Sequence, residues 1–313
     1  MNPGDECGAG GFYGSTTEEL CNRWTSVGAF YPFARNHAVH FSAPQEPYNW
    51  PSVAKAAKTA LGMRYRLLPY WYTLSYDAHT RGAPMARPLF FSFPRDRRAL
   101  GIHLQFMVGS SLLVSPVLSQ GALSVKAYFP GGRWWNLFNY DQVASTKGTV
   151  AVLNAPLGTI PVHVRQGSII PMQEGGLTTA AAKATPFSLL LTFGAASAKD
   201  QRASGELFLD SGDSLAMKLA PGVATYIKFS ATLHPSGSGT FGSAVVYPSF
   251  AKRQGWVVNR LTVLGGPRRV RSVIVNGKSY GPRYSIHKLA AGFVLHLIKV
   301  PLGENMNITW IAR

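Results

Sequence analysis

The chain has 313 residues, 46% of them hydrophobic and 12% aromatic, which is enough to bury two or three cores and too apolar for a disordered chain. Its formal net charge of +17 is placed unevenly: residues 1–83 carry 7 Lys/Arg and 6 Asp/Glu, and no acidic residue occurs between Asp213 and Glu304. No apolar run approaches the ~18 residues of a membrane span, and the start MNPGDECGAGG has neither the basic nor the apolar segment of a signal peptide.

In chain order, Asp5 and Glu6 come first. Neighbours on a strand point to opposite faces, so alone they make a poor acid/base pair. GAGGFYG (Gly8–Gly14) lacks the Lys-Ser/Thr of a phosphate loop and the strand that precedes a dinucleotide site. TTEEL (Thr16–Leu20) predicts a helix start, with Thr16 as N-cap and Glu19 completing a capping box. Leu20, Trp24 and Val27 would share one face, and the helix would end near Gly28. FYPFARNH (Phe30–His37) then sets three aromatics and a proline against a compact Arg-Asn-His cluster, the composition of a wall for a small polar ligand. A histidine there is also a common structural residue. Helical spacing returns over 52–61 and over 62–80, where Tyr65, Leu68, Tyr72, Ser75 and Tyr76 share a stripe and Pro69 should break the helix.

From about Ala83 the period becomes two. PLFFSFP (Pro88–Pro94), AYFPGGRWWNLF (Ala127–Phe138) and TVAVLNAPLGTIPVHVRQGSIIP (Thr149–Pro171) read as short strands of an antiparallel sheet or sandwich. GGLTTAAAKATP (Gly175–Pro186) reads as a linker, and a second all-β unit follows it. LDSGDS (Leu209–Ser214) has two close carboxylates but too few oxygen ligands for Ca²⁺, so a turn is expected. No metal site or cofactor motif is found. Cys7 and Cys21 cannot hold a structural zinc; they are a short disulfide or two thiols. No G-x-S-x-G elbow supports serine catalysis. PRRVR (Pro267–Arg271) is the densest basic cluster. Without interleaved aromatics or a basic helix it does not indicate nucleic acid, whereas a broad basic face suits an acidic polysaccharide or plain solvent.

Taken together, TTEELCNRW, GAFYPFARNH, RYRLLPYWYTLSYDAHTRGAPMARPLFFSFPRD, VGSSLLVSPVL, AYFPGGRWWNLF and PVHVRQGSIIPMQ resemble the family 31 glycoside hydrolases, most of all the plant α-glucosidase and α-xylosidase type. The likeness runs on through GELFLDSGDS, where Ser211 stands in place of the family's second aspartate. The resemblance implies the last part of a (β/α)₈ barrel over 1–83, a proximal β-sandwich over 84–173 and a distal one over 174–313. It implies a retaining mechanism acting on α-linked oligosaccharides. The nucleophile and acid/base carboxylates match nothing here and are expected upstream, so no catalytic residue is assigned and the isolated chain is expected to be inactive. Among substrate-binding residues, the resemblance implies a sugar-hydroxyl contact for His37, a pocket-lining aspartate at Asp5 and the aromatic of the same motif at Phe12. Here Gly8-Ala9-Gly10 are inserted ahead of Gly11-Phe12. The family often closes the Cys7–Cys21 pair as a disulfide. Asn307-Ile308-Thr309 is a glycosylation sequon. Full-length relatives are expected to be secreted to the wall or held in the vacuole. The alternative reading is a non-catalytic β-sandwich remnant that holds carbohydrate or polyanion. A barrel needs about eight strands, so Trp24, Phe30, Leu68 and Trp71 are expected to lie bare.

Overall fold

The computed structural model describes residues 4–6, 16–38, 43–195, 199–213, 217–279 and 284–313. It begins with strand β1 (Gly4–Glu6), helix α1 (Glu18–Gly28) and strand β2 (Ala34–Asn36). Helices α2 (Pro51–Arg66) and α3 (Leu68–Arg81) follow. The N-cap of α1 is Thr17, not Thr16: its side chain accepts from the Leu20 amide, and Glu19 turns to other partners, so no capping box forms. Pro69 does end one helix and start another, because it sits in the first turn of α3, where its missing N–H costs nothing. Among the described residues the barrel contributes the parallel pair β1–β2 with its flanking helices, and no closed barrel forms.

The first of two compact units takes in residues 1–65, 84–138 and 143–163. After β3 (Ala86–Arg87), the stretch expected as strand at Pro88–Pro94 is one helical turn, α4 (Leu89–Ser92). Pro88 is its N-cap, and Leu89 is its buried anchor. The strands that follow are β4 (Phe106–Val108), β5 (Leu112–Val114), β6 (Ser124–Phe129), β7 (Gly132–Asn136), β8 (Gln142–Ser145), β9 (Thr149–Asn154) and β10 (Val162–Arg165). They form a sheet in the order β3-β4-β5-β10-β7-β8 and a separate antiparallel pair β6–β9. Met107, Leu113, Phe129 and Trp134 fill the core between them. The buried amide of Gln105 ties Ser115 to both backbone groups of Tyr128.

The second unit takes in residues 66–83, 139–142 and 164–313. It contains β11 (Ile169–Gln173), α5 (Thr179–Lys183), β12 (Phe187–Thr192), β13 (Gln201–Leu209), β14 (Thr225–Leu233) and β15 (Gly239–Val245). Helix α6 (Ser249–Gln254) and strands β16 (Val257–Leu264), β17 (Val270–Val275), β18 (Lys278–Ser279), β19 (Tyr284–Leu289), β20 (Gly292–Pro301) and β21 (Asn307–Ala312) complete it. Two sheets, β11-β12-β16-β20-β19 and β13-β14-β15-β21-β17-β18, sandwich a core rich in phenylalanine around Trp310. The stretch read as a linker holds α5, capped by Thr178.

Division by contact differs from division by sequence pattern at residues 66–83, 139–142 and 164–173. Helix α3 lies with the second unit because its aromatic stripe packs there: Tyr76 stacks on Phe208 at 4.2 Å, and Thr73 Oγ1 accepts from the Phe208 amide. Strand β11 lies there because it pairs along its length with β12.

The expectation that Trp24, Phe30, Leu68 and Trp71 lie bare is not met. Phe30 is buried against the edge of Phe138, and Trp71 is buried too; Trp24 and Leu68 are half-buried. The large exposed apolar side chains of the first unit include Phe33, Phe90, Leu100, Leu104 and Leu118.

Candidate functional site

The site is built on β1 and β2, which run parallel with Gly4 opposite Ala34, Asp5 opposite Arg35 and Glu6 opposite Asn36. Both strands therefore end on the same side. In a β/α barrel that carboxyl end is where substrate is met, because the loops there are free to carry polar groups. Asp5 sits in the middle of β1, and His37 follows directly after β2. The pairing thus brings the backbones of these two sequence-predicted residues to one edge. Only the backbone of Asp5 is described; Cys7 and Phe12 lie outside the described residues. Cys21 is buried on α1, and its proposed pairing with Cys7 remains a proposal.

His37 is exposed. Its position is held by its backbone. The buried Gln45 donates Nε2 to the His37 carbonyl at 2.6 Å and to Asn36 Oδ1 at 2.8 Å, while Asn36 Nδ2 returns a bond to the Gln45 carbonyl at 3.0 Å. A second clamp acts on the aromatic stretch before it. Arg64, on α2, donates Nη1 to the carbonyls of Ala29 (2.9 Å) and Tyr31 (2.6 Å), and Nη2 to that of Pro32 (3.1 Å). One planar guanidinium thereby fixes the chain that delivers β2 and His37. Neither Gln45 nor Arg64 is picked out by sequence reasoning. Arg64 stands in a quoted motif with no role attached, and Gln45 stands in a loop with no motif at all.

The aromatics of FYPF divide their work. Phe30 is core. Tyr31 packs on Phe106 at a centroid distance of 5.6 Å, and burial pushes its hydroxyl pKa up. Phe33 is 53% exposed and, with Tyr31, Phe90, Leu100, Leu104 and Leu118, lines an open groove of about 780 Å³. That groove is almost wholly apolar and contains no carboxylate.

A retaining glycosidase requires two carboxyl groups about 5–5.5 Å apart, flanking the scissile bond. None of the described cavities is lined by more than one carboxylate. The carboxylates have other partners. Glu18 accepts from Ser52, Asp96 from Tyr128, and Glu174 from Arg260. Glu19 accepts from the Gly121 amide and from Arg23, and those two bonds, in that order, draw its carboxyl below the usual range. Each of these four carboxylates is engaged by a hydrogen-bond donor of the chain itself. No group of three His, Cys, Asp or Glu suited to a metal occurs among the described residues. No helix among them is long and apolar enough to cross a membrane. Within LDSGDS, Asp210 Oδ1 accepts from the Gly212 amide. Asn307 is exposed at the start of β21.

Comparison with known proteins fits this arrangement. The signature described as "Glycosyl hydrolases family 31 TIM-barrel domain" matches residues 7–74, and that described as "Glycosyl hydrolase family 31 C-terminal domain" matches residues 82–170. The chain is 42% identical to Alpha-xylosidase 1 of Arabidopsis thaliana over 320 residues, covering 96% of this chain and 34% of that protein. It is 46% identical to an Alpha-glucosidase of Hordeum vulgare over 258 residues, covering 82% and 29%. Among solved structures it resembles the glucosidase II alpha subunit bound to alpha3-Glc2, with a TM-score of 0.83, 28% identity, and 97% of this chain covered against 34% of that one. The chain thus spans about a third of the length of the curated relatives it matches.

Proposed function

Since the chain belongs to glycoside hydrolase family 31, we propose that it is the C-terminal part of a retaining α-glycosidase of the α-glucosidase and α-xylosidase type, contributing one wall of the sugar pocket. The observation that carries this is the parallel pair β1–β2, which delivers Asp5 and His37 to one carboxyl edge under the clamps of Gln45 and Arg64. In this reading His37 contacts hydroxyls of the sugar being cleaved, Asp5 lines the same pocket, and the reacting carboxylates belong to another part of the enzyme. The longer protein acts in a secreted or vacuolar setting, where Asn307 is a glycan acceptor and Cys7–Cys21 a disulfide.

The reading has a direct consequence. Loss of general acid/base assistance alone is worth about 10²–10⁴ in rate, and here the nucleophile is missing as well. Purified 1–313 is therefore expected to release no p-nitrophenol from p-nitrophenyl α-glucoside above the buffer rate. Turnover that disappears in His37→Ala would place the chemistry in this chain and overturn the reading.

A second reading is favoured by one observation, the absence of any acidic residue between Asp213 and Glu304. In it the second unit holds an acidic polysaccharide electrostatically. Retention of the chain on immobilised pectin at low salt, released as salt rises, is then expected; passage straight through removes this reading.

A further inference from the structure

Within the second unit, α5, the residues after β13 and the α6–β16 junction line an open cavity of about 660 Å³. Its lining includes Lys183, Thr185, Asp210, Phe250, Gln254 and Trp256. Asp210 is only 6% exposed. Its Oδ1 takes two donors, the Tyr72 hydroxyl at 2.6 Å and the Gly212 amide at 2.8 Å, while its Oδ2 is buried with no hydrogen-bond partner. A buried carboxylate oxygen left without a donor is unfavourable, and Asp210 lines the cavity. Burial, and then the bond to Asp210, push the Tyr72 hydroxyl far up, so Tyr72 remains a donor to Oδ1 and leaves Oδ2 open.

The surrounding groups define what would supply that donor. An anion would face the Asp210 carboxylate. A cation would face the Lys183 ammonium in a unit that has no acidic residue from 214 to 303. A neutral polyol avoids both conflicts: one hydroxyl donates toward Asp210, directly or through one ordered water, and a neighbouring hydroxyl accepts from Lys183 or Gln254. The remaining wall is aromatic. Trp256 is half-buried, its ring held edge-on by Phe187 at 5.8 Å and Phe250 at 5.7 Å. A rigid indole suits the flat C–H face of a pyranose.

We propose that this cavity is a binding site for a neutral glycosyl residue, with Trp256 as its platform and Asp210 and Lys183 as its polar contacts. The site does not depend on the chain having hydrolytic activity or on the β1–β2 wall binding sugar. It is tested on the full chain with maltotriose as probe, by saturation-transfer NMR and calorimetric titration of the wild type, Lys183→Ala, Trp256→Leu and, as a control, Lys278→Ala, an exposed residue of β18 away from the cavity. Saturable binding is expected, weakened about tenfold or more in the first two variants and unchanged in Lys278→Ala. Lys183 is exposed, so its variant keeps the test valid should Trp256→Leu fold poorly. No saturable binding, binding unaffected by Lys183→Ala, or binding lost in Lys278→Ala would each overturn the proposal.

Discussion

Lowering the pH from 7 to 5 is expected to cost the chain roughly 2 kcal/mol of stability through His163 alone. This histidine, on β10, is 2% exposed, lies edge-on to Phe129 at 4.9 Å, and has an Nδ1 that finds no partner. Burial without a compensating charge lowers its pKa from 6.5 to about 4. The sign follows from proton counting. Below about pH 6.5 the unfolded chain takes up a proton that the native chain refuses, down to about pH 4. Stability therefore falls with pH across that window, by up to about 1.36 kcal/mol per pH unit, and the contribution is absent above it. Other groups titrate in the same range, so the measurement is a difference. Urea unfolding of the wild type and of His163→Leu at pH 7 and pH 5 should show the variant losing clearly less stability. At pH 7 the variant should be close to neutral, since no hydrogen bond of the imidazole to a described partner is broken. Equal losses in both proteins would refute the assignment.

Arg64→Ala is expected to cost about 2–3 kcal/mol and to loosen the stretch from Ala29 to Pro32. Three carbonyls lose a charged donor at once, and none of them belongs to a helix or sheet ladder that could take it back. Arg64→Lys should recover only part of the loss, because a single ammonium cannot span three acceptors in a fixed plane. Chemical unfolding gives the stability, and chymotryptic cleavage after Phe33 reports the loop. If Arg64→Lys were as stable as the wild type and cleaved no faster, fork geometry would not be what holds this stretch.

Much of the architecture was legible in the sequence. The change of period near Ala83 marks the end of the helical stretch, and the aromatic stripe with Pro69 marks the break between α2 and α3. What misled was local chemistry. Pro88 ahead of LFFS reads equally as a strand or as a pre-set helical turn, and packing of Leu89 into the core decides for the turn. Thr16 and Thr17 are both good caps, and the choice falls to which one's oxygen meets the Leu20 amide. The candidate site was legible at His37, where a compact polar cluster follows aromatic bulk. It was not legible at Gln45 or Arg64. Their function is to bind backbone carbonyls distant in sequence, and carbonyls carry no residue identity for a pattern to register.

The second unit is assembled from three separate stretches of chain, and the Tyr72–Asp210 bond closes over 138 residues. Loop closure of that kind is slow and entropically costly. Helix α3 is synthesised well before its partners, with Tyr72 and Tyr76 unpartnered until Phe208 and Tyr226 have been made. During that interval the nascent chain carries a sticky aromatic helix, which is a natural point for chaperone engagement. A truncated polypeptide beginning at residue 84 would have the opposite fault, a sandwich with the Phe208–Tyr226 face stripped of its cover and prone to self-association.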